Sequence, residues 1–203
     1  MIAVIDYGAS NLASVANAIR TLGYKPKVTA KAGDILSARA VVLPGVGAAG
    51  DAMKKLTELR LTDCVAKVIS DSHPFFGICL GYQVLFESTE EGNIPCLGLL
   101  PGSVRLLPNT VKVPHMGWNQ VKQRVKHPVF KGIPDDSDFY FVHSYYPAPA
   151  DKAVIAGETK YGIEFASIVI KDNLIATQFH PEKSGDTGLR MLDNFFAFAG
   201  VTK

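Results

Sequence analysis

The sequence predicts a single α/β domain on an open, largely parallel, doubly wound sheet, and three observations carry that expectation. Short runs that are apolar throughout, such as Ile2–Ile5 and Ala40–Leu43, alternate with stretches of helical periodicity. Parallel strands covered by helices on both faces need such runs, because neither face meets water. The length, 203 residues with 47% hydrophobic and 20% charged side chains, suits one domain over residues 1–203 with a sizeable core. No repeat, linker or low-complexity segment interrupts the alternation.

The elements follow in order. After Ile2–Ile5, a stretch from about residue 11 places Leu12, Val15, Ala16, Ile19 and Leu22 on one helical face, with Gly23 where a C-cap is expected. Strands are expected at Pro26–Thr29 and Ala40–Leu43. One long helix over residues 51–70 leads into residues 74–78, apolar on both faces and so central in the sheet. A helix over residues 80–88 comes next. Residues 92–126 turn irregular and rich in Gly and Pro, which predicts short strands and functional loops. Strands are read over residues 139–142, 163–170 and 174–179. Leu189, Leu192, Phe196 and Ala199 then mark one face of a C-terminal helix.

Composition excludes several function classes. The net charge is +2, from 21 Lys and Arg against 19 Asp and Glu, and no basic run resembles a phosphate-tracking face, which argues against a nucleic-acid partner. Cys64, Cys79 and Cys96 are odd in number and lack CxxC spacing, so neither a disulfide framework nor a zinc site is expected, and a reducing cytoplasm fits. The start, MIAVIDYG, reads as a first strand and not as a signal peptide. No segment approaches the ~20 apolar residues that span a bilayer, so a soluble protein is expected.

Gly77-Ile78-Cys79-Leu80-Gly81 lies between the residue 74–78 run and the next helix, in the G-x-nucleophile-x-G form of a nucleophile elbow. Such a turn packs backbones so tightly that a Cβ at the flanking positions would collide. It lifts the side chain above the carboxyl edge of the sheet, where open α/β sheets bind ligands, and sets the sulfur at a helix start that favours the thiolate. A buried structural cysteine between incidental glycines is the plainer reading of the pentapeptide alone.

A thiolate needs a base and a carboxylate to orient it. In Phe179-His180-Pro181-Glu182, one residue separates His180 from Glu182, so both side chains point the same way if the segment is extended. Glu182 would then fix the His180 tautomer and stabilise its imidazolium. An HxE pair is weak by itself; together with the elbow it predicts a Cys79–His180–Glu182 triad. Of the other histidines, His73 precedes the residue 74–78 strand at the end far from the elbow, His127 sits in a polar, solvated stretch, and His115 and His143 are positioning groups.

Leu43-Pro44-Gly45-Val46-Gly47 follows an apolar strand, and its backbone N–H groups at Val46 and Gly47 are candidates for an oxyanion hole, with the N–H of Leu80 as the other donor. Gly45-Val46-Gly47-Ala48-Ala49-Gly50 also fits the G-x-G-x-x-G dinucleotide pattern. It follows a later strand, Pro44 removes a donor, and no acidic residue stands where a ribose would be held, so a dinucleotide site is rejected.

Gly-Ile-Cys-Leu-Gly-Tyr-Gln with Phe-His-Pro-Glu resembles the triad-type, class I glutamine amidotransferases. The segments at residues 6–12, 44–47, 114–119 and 143–145, with residues 178–185, further resemble the glutaminase subunits of imidazole glycerol phosphate synthase, and the match runs from Asp6 to Gly185. Ser10, Ala49, Tyr82 and Ala176-Thr177 depart from the usual pattern. The resemblance implies a flavodoxin-like glutaminase, without cofactor or metal, whose ammonia passes to a (βα)8-barrel cyclase of histidine biosynthesis. It also implies that Gln83, Glu91, His143, Ser144 and Tyr145 hold glutamine and that Asn11, Trp118 and Lys183 meet the cyclase. Two rival readings remain: a glutaminase of the same fold serving anthranilate, pyridoxal phosphate or guanylate synthesis, and a catalytically silent docking module.

Overall fold

The computed structural model describes residues 1–203. Runs without a polar face become strands that are covered on both sides. In Ile2–Ile5 (β1), Ala3 and Ile5 enter one apolar core while Ile2 and Val4 enter a second. Ala40–Leu43 (β3) and Phe75–Ile78 (β4) split their side chains between the same two cores. With Pro26–Thr29 (β2) and Leu174–Thr177 (β13) they form a parallel half-sheet in the order β2-β1-β3-β4-β13. The sheet continues through antiparallel strands Ile163–Lys171 (β12), Ile155–Tyr161 (β11), His115–Gln123 (β8) and Ser137–His143 (β9).

Helices cover both faces, as a doubly wound sheet requires. Leu12–Thr21 (α1) and Gly185–Phe198 (α6) supply one core with Val15, Ile19, Met191, Leu192, Phe195 and Phe196. The other core takes side chains from Ala32–Leu36 (α2), Ala49–Glu58 (α3) and Leu61–Ser70 (α4).

Two expectations need correction. The helix expected over residues 51–70 is two helices, α3 and α4, broken at Arg60, which takes the left-handed conformation at φ 55. The corner lets Leu56 and Leu61, one from each helix, both sit fully buried. The helix expected over residues 80–88 is a single turn, Leu80–Gln83 (α5), followed by the strand Phe86–Thr89 (β5). Carbonyls that would continue the helical ladder are taken by the returning chain, with Leu97 N–H on Val84 O at 2.9 Å and Leu99 N–H on Leu85 O at 2.8 Å.

The irregular stretch holds more order than its composition predicts. Ile94–Pro95 (β6), Leu100–Leu106 (β7) and Tyr145–Pro149 (β10) join β5 in a second, four-stranded sheet ordered β10-β7-β5-β6. That sheet and β8–β9 bring Gln83, Glu91, Pro114 and residues 142–145 to the carboxyl ends of β3 and β4, where the site forms.

Candidate active site

Cys79 caps β4 in a conformation rare for a residue with a side chain, φ 53 and ψ −106. Three hydrogen bonds hold it: its N–H donates to Thr177 O at 2.7 Å, and its carbonyl accepts from Tyr82 and Gln83 N–H at 3.0 and 3.1 Å. The flanking glycines are sterically required. A Cβ on Gly81 would run into the Leu43 carbonyl, and one on Gly77 would lie 2.9 Å from Gly81 O. The elbow is thus wedged between β4 and the end of β3, and the Cys79 side chain is turned toward the sheet's crest.

His180 and Glu182 lie behind the sulfur. His180 Nδ1 is 2.8 Å from Glu182 Oε1, and both side chains are fully buried. The route to this contact differs from the extended segment expected. Strand β13 ends at Thr177, His180 is extended, and Pro181–Lys183 makes a 3-10 turn that folds the carboxylate back onto the ring. Ser184 clamps the turn, its Oγ donating to His180 O at 2.7 Å and accepting from Tyr140 N–H at 3.0 Å.

Burial by itself would make the His180 imidazolium harder to form. The negative charge of Cys79, its sulfur and the Glu182 carboxylate more than offset that and raise its pKa to about 10. With Cys79 as the thiolate, His180 is held as the imidazolium. Its Nε2 meets no hydrogen-bond partner of good geometry in the resting site, yet the Cys79 sulfur lies close enough to act on it through both charge and hydrogen bonding. A nucleophile with a protonated acid beside it is equipped to attack a carbonyl carbon and protonate the group that leaves.

A cavity of about 260 Å³ opens over Cys79, and Val46, Gly47, Leu80, Gln83, Glu91, His143, Ser144 and Tyr145 all line it. Every residue expected to form the oxyanion hole or hold the substrate is thus brought to one cleft. Four of them are engaged in ways the sequence does not reveal, Gln83 among them, its Nε2 donating to Tyr145 O at 2.9 Å and to Gln178 Oε1 at 3.0 Å. The Leu80 N–H, expected as an open donor, points at Gly45 O at 3.3 Å. Glu91 Oε2 accepts from Ala49 N–H at 2.7 Å and so caps α3. Both ring nitrogens of His143 are occupied, Nδ1 by Tyr145 O at 2.9 Å and Nε2 by His115 Nδ1 at 2.9 Å, so the imidazole has no free polar atom for a ligand. Burial keeps both rings neutral, with the pKa pushed down to about 3 for His143 and about 4 for His115.

The residues expected at a partner interface divide. Trp118 is 58% exposed on β8, edge-on to Tyr140, and Lys183 is exposed on the 3-10 turn. Asn11 is buried instead, and its Nδ2 donates to Glu182 Oε1 at 3.3 Å, so its amide meets the carboxylate that holds His180. His73 lies at the far end of β4, as expected. His127 is half-buried rather than solvated; its Nδ1 accepts from Val129 N–H and its ring packs on Phe198.

Two residues at the site carried no role in the sequence reading. Gln178, fully buried, donates from Nε2 to the Cys79 sulfur at 3.6 Å. Its signal is a long polar side chain beside Thr177, between the apolar Leu174–Ala176 and Phe179. The Tyr7 hydroxyl sits against Gly45, where an added Cβ would lie 2.5 Å from it; burial, with the nearby Cys79 charge, raises its pKa above the ordinary tyrosine value.

Comparison with known proteins agrees with this geometry. The family model "Glutamine amidotransferase class-I" matches residues 3–198. The imidazole glycerol phosphate synthase subunit HisH of Dehalococcoides mccartyi (strain CBDB1) is 56% identical over 200 residues, covering 98% of each chain. The protein of the same name from Aromatoleum aromaticum is 50% identical over 209 residues, again covering 98% of each. Among solved structures, PurLQS from Thermotoga maritima matches with a TM-score of 0.77 at 17% identity over 97% of both chains. The glutaminase domain of Trypanosoma brucei CTPS with bound acivicin matches with a TM-score of 0.71 at 17% identity, covering 100% of this chain and 94% of that one. At such identities these two show the fold. The family model and the curated relatives together show that the chain belongs to the class-I glutamine amidotransferases and, within them, to the HisH group of imidazole glycerol phosphate synthase subunits.

Proposed function

We propose that the chain hydrolyses glutamine through Cys79, His180 and Glu182 and delivers the ammonia to a (βα)8-barrel cyclase that makes imidazole glycerol phosphate and an aminoimidazole carboxamide ribotide. The observation that carries the reading is the Cys79–His180–Glu182 cluster: a cysteine at φ 53 over a cavity, with a charged imidazole behind it on a buried carboxylate. The Cys79 thiolate attacks the carboxamide carbon, and the His180 imidazolium protonates the leaving ammonia. Water then attacks the glutamyl thioester with the neutral imidazole as base, and glutamate departs. Glu182 holds the tautomer that makes both transfers possible.

The oxyanion donors are Val46 or Gly47 N–H together with Leu80 N–H. Because Leu80 is engaged by Gly45 O, the resting loop is non-productive, and the Gly45–Val46 peptide must turn before both donors face the substrate oxygen. Glutamine contacts then fall to Gln83, Ser144, Tyr145 and the backbone at residue 143, with Glu91 near the amino group. Exposed Trp118 and Lys183 are the partner contacts on this reading, while Asn11 is buried against Glu182. The names of the relatives support assignment to histidine biosynthesis over the other synthases. The location would be cytoplasmic; no helix is long and apolar enough to cross a membrane.

The test is Cys79→Ala in complex with the cyclase. Synthesis from glutamine is expected to vanish while synthesis from added ammonia persists, since the partner performs the ring chemistry. Loss of both would refute the division of labour, and retention of both would refute Cys79 as nucleophile.

A further inference from the structure

We propose that Gln178 is a further catalytic residue of this site: its side-chain amide donates to the Cys79 sulfur and holds it as the thiolate, and Gln83, anchored on the Tyr145 carbonyl, fixes the orientation of that amide. The proposal rests on Cys79 being the nucleophile and adds a partner for its charge.

The direction of these hydrogen bonds follows from one group that can only accept, the Tyr145 carbonyl. It lies 2.9 Å from both Gln83 Nε2 and His143 Nδ1, so both of those atoms must be donors. The second hydrogen of Gln83 Nε2 then meets Gln178 at 3.0 Å, where only an oxygen avoids a donor–donor clash. With its Oε1 fixed there, Gln178 must turn its NH2 to the sulfur, 3.6 Å away. On the other side, His143 Nε2 is left as an acceptor for His115 Nδ1–H at 2.9 Å. His115 Nε2 in turn accepts from Asn119 Nδ2 at 3.2 Å. Asn119 stands on β8 next to exposed Trp118.

Both histidines stay neutral, which this pattern of donors and acceptors requires. The Gln178 amide meets the sulfur with a donor already in place at 3.6 Å, in addition to the His180 imidazolium that acts on it. A neutral amide can stabilise a thiolate without taking its proton, so it keeps the nucleophile charged and leaves the imidazolium free for the departing ammonia.

The experiment follows iodoacetamide alkylation of Cys79 in the full chain from pH 6 to 10, reading each cysteine peptide by mass spectrometry. Wild type is compared with Gln178→Met, a near-isostere without a donor, and Gln178→Leu, each with its thermal midpoint measured. Both variants are expected to alkylate about tenfold more slowly at neutral pH, with the half-maximal rate moved about one pH unit higher. A merely structural glutamine would lower the thermal midpoint and leave the pH profile in place. Profiles that coincide with wild type in the folded variants would overturn the proposal; should one variant not fold, the other decides. The wild-type arm tests the underlying reading separately: if Cys79 reacts no faster than Cys64 and Cys96 and glutamine gives no protection, the nucleophile assignment fails whatever the variants do.

Discussion

Replacing Glu182 with glutamine isolates the charge of the triad's carboxylate, because the surroundings decide how the new amide must sit. Glu182 Oε1 accepts from both His180 Nδ1 at 2.8 Å and Asn11 Nδ2 at 3.3 Å. In Glu182→Gln two donors face that one position, so the amide oxygen must take it and the His180 tautomer is preserved. What is lost is charge. A hydrogen bond to a charged partner contributes about 1.5–3 kcal/mol, against about 0.5–1.5 kcal/mol for a neutral pair. With both side chains fully buried, water screens none of the difference, about 1–1.5 kcal/mol. At about 1.4 kcal/mol per factor of ten, glutamine hydrolysis should fall five- to tenfold in kcat/KM with KM little changed. The assay is glutamate release by the chain in complex with its partner synthase subunit, coupled to glutamate dehydrogenase. A rate within twofold of wild type would refute the assignment of Glu182. A collapse of a thousandfold or more would mean that the amide had flipped and that Asn11 does not fix it.

Two other predictions bear on the resting state. With Leu80 N–H held by Gly45 O, the free chain is expected to release glutamate at least tenfold more slowly than the complex saturated with the cyclase's nucleotide ligand; equal turnover would reject the closed oxyanion loop. The raised pKa of His180 sets a pH dependence of stability. The folded value, about 10, exceeds the unfolded value near 6.5, so the imidazolium's contribution is complete below pH 6.5 and is lost as pH rises toward 10. Urea midpoints should fall across that window in wild type and flatten in Cys79→Ala, whose missing charge is the largest of those raising it; identical slopes would contradict the coupling.

The elbow and the Phe-His-Pro-Glu segment were legible because their chemistry is local: glycines flanking a nucleophile, and a base two residues from its carboxylate. The covered strands were legible as well, since β1, β3 and β4 bury every residue. The break at Arg60 was hidden because neither Gly nor Pro marks it and the apolar periodicity runs through it. β8 was read as irregular because its Met-Gly-Trp-Asn-Gln face is mostly exposed and carries no apolar alternation. The Leu80–Gly45 contact, the Asn11–Glu182 bond and the place of Gln178 are meetings across 35 to 171 positions of chain, set by sheet order. No local pattern encodes them.

The most direct test of the account is covalent labelling of the complex by a glutamine-analogue chloroketone, with each of Cys64, Cys79 and Cys96 read by peptide mass. The account predicts one adduct, on Cys79, suppressed by excess glutamine. Hydrolysis of glutamine that continues with Cys79 unlabelled, or an adduct on another cysteine that abolishes it, would contradict it.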